Sequence, residues 1–107
     1  MRTWKYAERA LAKLVGGERV PVSGRVGQPD IRHPWLAIEV KHRKTLPQWI
    51  LGAVQQAERA AQPSQLPIAI LHQHGQRYRE ALVVLRLKDF EAWFGEVHGA
   101  ETTAPPA

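Results

Sequence analysis

A chain of 107 residues has room for about one small domain, and 44% hydrophobic with 23% charged residues is the balance of a packed protein rather than a disordered one. No apolar run reaches the roughly 18 residues a membrane span needs, and the absence of cysteine excludes a disulfide framework and any thiolate zinc site. Fifteen Lys and Arg against ten Asp and Glu leave a net charge of +5, which favours a polyanionic partner such as nucleic acid. The opening "MRTWKYAERALAKL" mixes charged with apolar residues and has no signal-peptide core, so the expected location is the cytoplasm.

The first predicted element is a helix from Thr3 to Val15. Trp4, Ala7, Leu11, Leu14 and Val15 share one side of its wheel, and Lys5, Arg9 and Lys13 share the other. Gly16 and Gly17 end it. From Glu18 to Lys41 the pattern changes to short apolar runs, "ERVPV", "PDIRH" and "WLAIEVK", with "SGRVGQ" as a loop; three antiparallel strands fit this texture. A second helix runs from Leu46 or Pro47 to Ala61, with Pro in its first turn and Trp49, Ile50, Ala53, Val54, Ala57, Ala60 and Ala61 on one broad face. "LPIAILH" and "ALVVLRL" are nearly continuous apolar runs and read as interior strands joined by the hairpin connection "QHGQRYRE". Asp89 reads as the N-cap of a last helix from Phe90 to Val97, followed by a loose tail over residues 99–107. The order helix, three strands, helix, two strands, helix predicts an α/β fold in one domain, residues 1–98, with helices flanking a mixed five-stranded sheet.

The candidate chemistry sits in "PDIRHPWLAIEVK", Pro29 to Lys41. Strand alternation sends Trp35, Ala37, Glu39 and Lys41 to one face and Leu36, Ile38 and Val40 to the other, so Glu39 and Lys41 are same-side neighbours. Alone they amount to a solvated ion pair on a wet strand face. A short turn at His33 and Pro34, however, folds the preceding strand back and brings Asp30 beside Glu39. Two carboxylates with one ammonium make an oxygen-rich cation site of the kind Mg²⁺ prefers. Glu8 rides the edge of the first helix's core-facing stripe, and Gln56 the edge of the second helix's Ala-rich face; both are candidate further members, or core-edge polar residues and nothing more.

Pro29–Asp30 followed by Glu39–Val40–Lys41 resembles the PD-(D/E)XK nuclease signature, and the element order resembles that superfamily over residues 1 to about 97. "AERAL" with "VPVSG…PD…EVK…LPQWILGAVQQA" is most similar to the archaeal-type and phage Holliday junction resolvases, although Lys5, Tyr6 and Ala7 precede Glu8 where archaeal relatives tend to carry a glycine. The resemblance implies a restriction-endonuclease-like core and a Mg²⁺-dependent endonuclease acting on four-way DNA junctions as a homodimer, with Mn²⁺ able to substitute. It implies Asp30 and Glu39 as direct metal ligands, the Val40 carbonyl as a further oxygen, and Glu8 on a second ion or a metal-bound water. Lys41 would orient the attacking water or stabilise charge developing on the phosphate, and Gln56 would orient water or phosphate. His42, Arg43 and Lys44 continue from the motif as a basic run suited to DNA backbone contact, and Ser23 and Arg25 fall, with Gly24, where resolvases carry a strand-engaging loop. A nicking or repair endonuclease with the same chemistry, and a DNA-binding module without catalysis, are the alternatives.

Other signals are weaker. His72 and His74 alternate in "HQHG", yet no third ligand stands nearby in the sequence. His33 and His42 flank the motif as potential proton carriers or as plain turn and surface residues. The four tryptophans read as core or interface residues rather than base-stacking platforms.

Overall fold

The computed structural model describes residues 4–21 and 28–94. Among these the chain is mixed α/β, with three α-helices and two small antiparallel sheets. It divides between Lys44 and Thr45 into two compact units. No helix among the described residues is long and apolar enough to cross a membrane.

The first unit opens with α1 (Trp4–Val15), whose buried residues are Glu8, Ala12 and Val15. Spacings of four and three put these three on one stripe. The helix ends in a Schellman motif: the Gly17 amide donates to the Ala12 carbonyl at 2.9 Å, the Gly16 amide to the Lys13 carbonyl at 3.3 Å, and Gly16 takes a φ of 73°. Strands β1 (Glu18–Arg19), β2 (Ile31–Arg32) and β3 (Ala37–Ile38) follow and pair antiparallel in the order β1-β2-β3. β2 is central, and its Ile31 has no exposed surface. The β2–β3 turn is closed by the Trp35 amide donating to His33 Nδ1 at 3.3 Å, with the two rings edge to face at 5.9 Å. The predicted alternation holds from Leu36 to Lys41: Leu36, Ile38 and Val40 are half-buried, while Ala37, Glu39 and Lys41 are exposed.

In the second unit α2 (Gln48–Ala60) starts on Pro47, whose carbonyl accepts the Ile50 and Leu51 amides at 3.1 and 3.3 Å. A proline here fixes an extended entry and gives up no helical hydrogen bond. Strands β4 (Ala69–Leu71) and β5 (Leu82–Val84) form a two-stranded antiparallel sheet in which Ile70 faces Val83. Their connection contains Gly75 at a φ of 89° and a 3-10 turn, Tyr78–Glu80. Helix α3 (Leu87–Phe94) closes the described chain, and the Arg86 guanidinium reaches α2 by donating Nε to Glu58 Oε2 at 3.1 Å and Nη2 to Oε1 at 3.4 Å.

Three expectations change. The five strands do not join in one mixed sheet; they hydrogen-bond as a three-stranded and a two-stranded sheet, all pairs antiparallel. β4 and β5 are not buried on both faces, since Ile70, Leu82 and Val83 are exposed and only Ala69 of the sheet is buried. A continuous apolar run implies double burial only when something covers the second face, and within the second unit no described element does so. α3 begins at Leu87 rather than Phe90, because the Arg86 carbonyl already accepts the Asp89 and Phe90 amides at 3.0 Å; Asp89 therefore sits inside the first turn instead of capping it. The expected ends of the first and last helices at Thr3 and Val97, and residues 99–107, lie outside the described residues.

Gly17 is required for contact as well as for the helix stop. A Cβ built there would lie 2.6 Å from Ile31 Cγ2 and 2.7 Å from the Arg32 carbonyl oxygen. Gly17→Ala should therefore lower unfolding stability by about 1–3 kcal/mol in a urea titration, with strand β2 forced away from the helix end.

Candidate functional site

The site is built on the β2–β3 ladder. Pairing of Ile31 with Ile38 and of Arg32 with Ala37, continued by one residue, sets Asp30 across from Glu39. The Asp30 backbone locks this position from both sides, its amide donating to the Ile38 carbonyl at 2.9 Å and its carbonyl accepting the Val20 amide at 2.9 Å. Its side chain adds a third bond: Oδ2 accepts the Val40 amide at 2.7 Å, a short charge-assisted contact. The aspartate is thus fixed against the middle residue of Glu39–Val40–Lys41, while Oδ1 takes no protein hydrogen bond among the described residues.

Glu39 and Lys41 project from the exposed face of the same segment, with Lys41 Nζ 3.7 Å from Glu39 Oε2. Both side chains are mostly solvated, so their attraction contributes no more than about 1 kcal/mol and both remain available to a ligand. Asp30 Oδ1, the Glu39 carboxylate and the Val40 carbonyl are all hard oxygen donors, the type that Mg²⁺ and Mn²⁺ take. This part of the predicted set is brought together.

Glu8 has a different partner. It is 6% exposed, and its Oε1 accepts Arg19 Nε at 2.9 Å. The guanidinium neutralises the carboxylate on the spot, and a cation approaching Glu8 would meet that positive charge first. Among the described residues no three His, Cys, Asp or Glu side chains converge as metal ligands. Sequence reading missed Arg19; the available signal was that a carboxylate on a helix's buried stripe needs a cation, and the strand directly after α1 supplies one.

Comparisons with protein families, with curated proteins and with solved structures find no match.

The remaining candidates are distributed as follows. His42, Arg43 and Lys44 are exposed after the motif, and Arg43 Nη1 donates to the His42 carbonyl at 3.1 Å. Gln56 lies on α2 in the second unit and is exposed, one residue from half-buried Ala57. Ser23 and Arg25 lie outside the described residues. His33 is the acceptor of the β2–β3 turn, and His72 Nε2 lies 2.8 Å from the Gln76 carbonyl oxygen, which accepts its proton.

Two stability predictions separate structure from chemistry. Asp30→Asn can still offer an oxygen to the Val40 amide and should unfold within about 1 kcal/mol of wild type, whereas Asp30→Ala leaves that amide unpaired and should cost about 1–3 kcal/mol in urea unfolding. Arg19→Met should cost more, about 3–5 kcal/mol, because it strands the Glu8 carboxylate in the core; pairing it with Glu8→Leu should recover much of the loss.

Proposed function

We propose that the chain is a Mg²⁺-dependent, structure-selective DNA endonuclease of the Holliday junction resolvase type, built on a restriction-endonuclease-like core. The observation that carries this reading is the bond from the Val40 amide to Asp30 Oδ2, which fastens Asp30 to the middle residue of Glu39–Val40–Lys41 on the β2–β3 pair. Asp30 and Glu39 would hold the metal, with the Val40 carbonyl beside them. Bound Mg²⁺ supplies neutralisation of the scissile phosphate and a more acidic water.

The protein's own contribution is electrostatic placement. Lys41 keeps a mobile ammonium on the face that Glu39 shares, where it can meet the negative charge that builds on the phosphate oxygens as the P–O bond breaks. Asp30, immobilised by three hydrogen bonds, needs no reorganisation when a phosphate arrives. The basic run His42–Lys44 follows directly and suits the flanking phosphates, which fix position without reading sequence. Branched DNA, a homodimer and a cytoplasmic setting complete the proposal.

A second reading is a DNA-binding module without catalysis. The neutralisation of Glu8 by Arg19 favours it, since it removes one acidic group from the predicted set. One experiment decides: labelled four-way junction, flap and linear duplex are incubated with Mg²⁺ or chelator. The expected result is junction cleavage with Mg²⁺ alone, lowered at least about a hundredfold in Asp30→Asn, Glu39→Gln and Lys41→Ala, with junction binding retained. Binding without metal-dependent cleavage of any substrate selects the second reading, and preferential cutting of flap or linear duplex replaces the junction with another nuclease substrate.

A further inference from the structure

The second unit carries a cleft that the proposed cleavage site does not use. It encloses about 650 Å³ and is lined by Trp49 of α2, Ile70 and Leu82 of the sheet, and His72, Gln73 and Gln76 of the connection. Its walls are apolar and aromatic, and Trp49, expected in the core or an interface, is 65% exposed. The Gln73 and Gln76 side-chain amides make no hydrogen bond among the described residues, so each offers both a donor and an acceptor at the rim.

At the edge of this cleft the connection is stiffened into a platform. The His72 ring, itself a cleft wall, stacks on Tyr78 at a centroid separation of 4.6 Å and an interplanar angle of 29°. His72 Nε2 is anchored on the Gln76 carbonyl at 2.8 Å, and the 3-10 turn Tyr78–Glu80 holds the other ring. Tyr78 is nevertheless 84% exposed, so the ring that is stacked on one side is open on the other. Arg77 and Arg79 bracket it, and neither guanidinium makes an ion pair among the described residues. The His72–Gln76 bond and the His72–Tyr78 stack close the connection, but they leave the second face of Tyr78 open. An aromatic step with an open face, Gln73 and Gln76 in the adjoining cleft wall and two guanidiniums beside the ring in sequence complement a planar, hydrogen-bonding, negatively charged ligand.

We infer that the cleft and the Arg77–Tyr78–Arg79 platform bind an unpaired nucleotide of a single-stranded DNA segment. The base continues the His72–Tyr78 stack or lies against Trp49, the Gln amides meet its edge, and Arg77 and Arg79 take the flanking phosphates. A paired base offers only its edges to a protein, so the surface selects unstacked nucleotides over blunt duplex. The inference rests on the reading of the chain as a DNA-binding protein and is independent of catalysis at Asp30.

The test uses the full chain in chelator, where nothing is cleaved, and a fluorescein-labelled thymidylate strand of about 12 nucleotides beside a blunt DNA hairpin duplex. Wild type and Asp30→Asn should bind the single strand alike. Tyr78→Ala should weaken single-strand binding about tenfold with duplex binding unchanged, and Tyr78→Phe should restore it. The Arg77→Ala/Arg79→Ala double variant should reduce the slope of log affinity against log salt by about 1.4. Quenching of intrinsic tryptophan emission by the strand should diminish in Trp49→Phe. Trp49, Arg77, Tyr78 and Arg79 are exposed, so circular dichroism should report an unchanged fold in their variants. Absence of single-strand binding by wild type, wild-type affinity in Tyr78→Ala, or an equal loss for strand and duplex would each overturn the inference. Loss of cleavage with Asp30→Asn, or its persistence, bears only on the catalytic reading.

Discussion

The first unit is organised by one close approach, that of Ile31 to the bare Cα of Gly17. Ile31 is the one large side chain among the described residues with no exposed surface, and it lies on the central strand of a three-stranded sheet whose strands are two residues each. Ladders this short contribute few hydrogen bonds, so the position of β2 depends on side-chain packing beneath it. Gly17 permits that packing because it follows a left-handed Gly16 and offers no Cβ of its own. With β2 set in depth, its register against β3 places Asp30 across from Glu39. A helix terminator in α1 is thereby coupled to the location of a carboxylate more than ten residues later in the chain.

Two acidic groups in this unit have opposite electrostatic circumstances. Glu8 is buried and held by Arg19, which gives a core carboxylate the partner it requires and leaves it little capacity for a ligand. The Asp30 carboxylate accepts one backbone amide, that of Val40, which orients it without cancelling its charge. Glu39 is the least constrained, sharing a solvated face with Lys41. Anion strength toward an incoming cation therefore concentrates at Asp30 and Glu39, and the reading of the chain as a metal-dependent nuclease draws on that concentration rather than on the count of acidic residues.

Period and punctuation made most of the first unit legible. The helix α1, the Gly16–Gly17 stop, three antiparallel strands and the alternation from Leu36 to Val40 all follow from local rules, and so does the return of Asp30 toward Glu39 through the His33–Pro34 turn; the wheel of α1 was centred off its buried stripe, which is Glu8, Ala12 and Val15 while Trp4 and Leu14 are exposed. What could not be read locally was pairing at a distance. Whether "LPIAILH" and "ALVVLRL" enter the first sheet or form their own depends on which strand edges meet, and apolar runs carry no address; here Ala69, Ile70 and Leu71 pair only with Val84, Val83 and Leu82. The partner of Glu8 was hidden for the same reason, since nothing in "ERVPV" says that Arg19 turns back to α1. Asp89 was misread because the helical amide bonds start at the Arg86 carbonyl, which puts Asp89 inside the first turn.

The β4–β5 sheet, with two strands, consists entirely of edges, and it exposes Ile70, Leu82 and Val83 along them. Such a ribbon is a template for strand addition by other chains, the first step toward aggregation. Arg77, Arg79 and Glu80 stand in the connection ahead of the apolar run of β5, and Arg86 follows it. Charges flanking an apolar strand are the type that opposes such addition by repulsion and hydration. The same guanidiniums that suit a nucleic-acid phosphate therefore also govern how concentrated the protein can become before its chains begin to zip together.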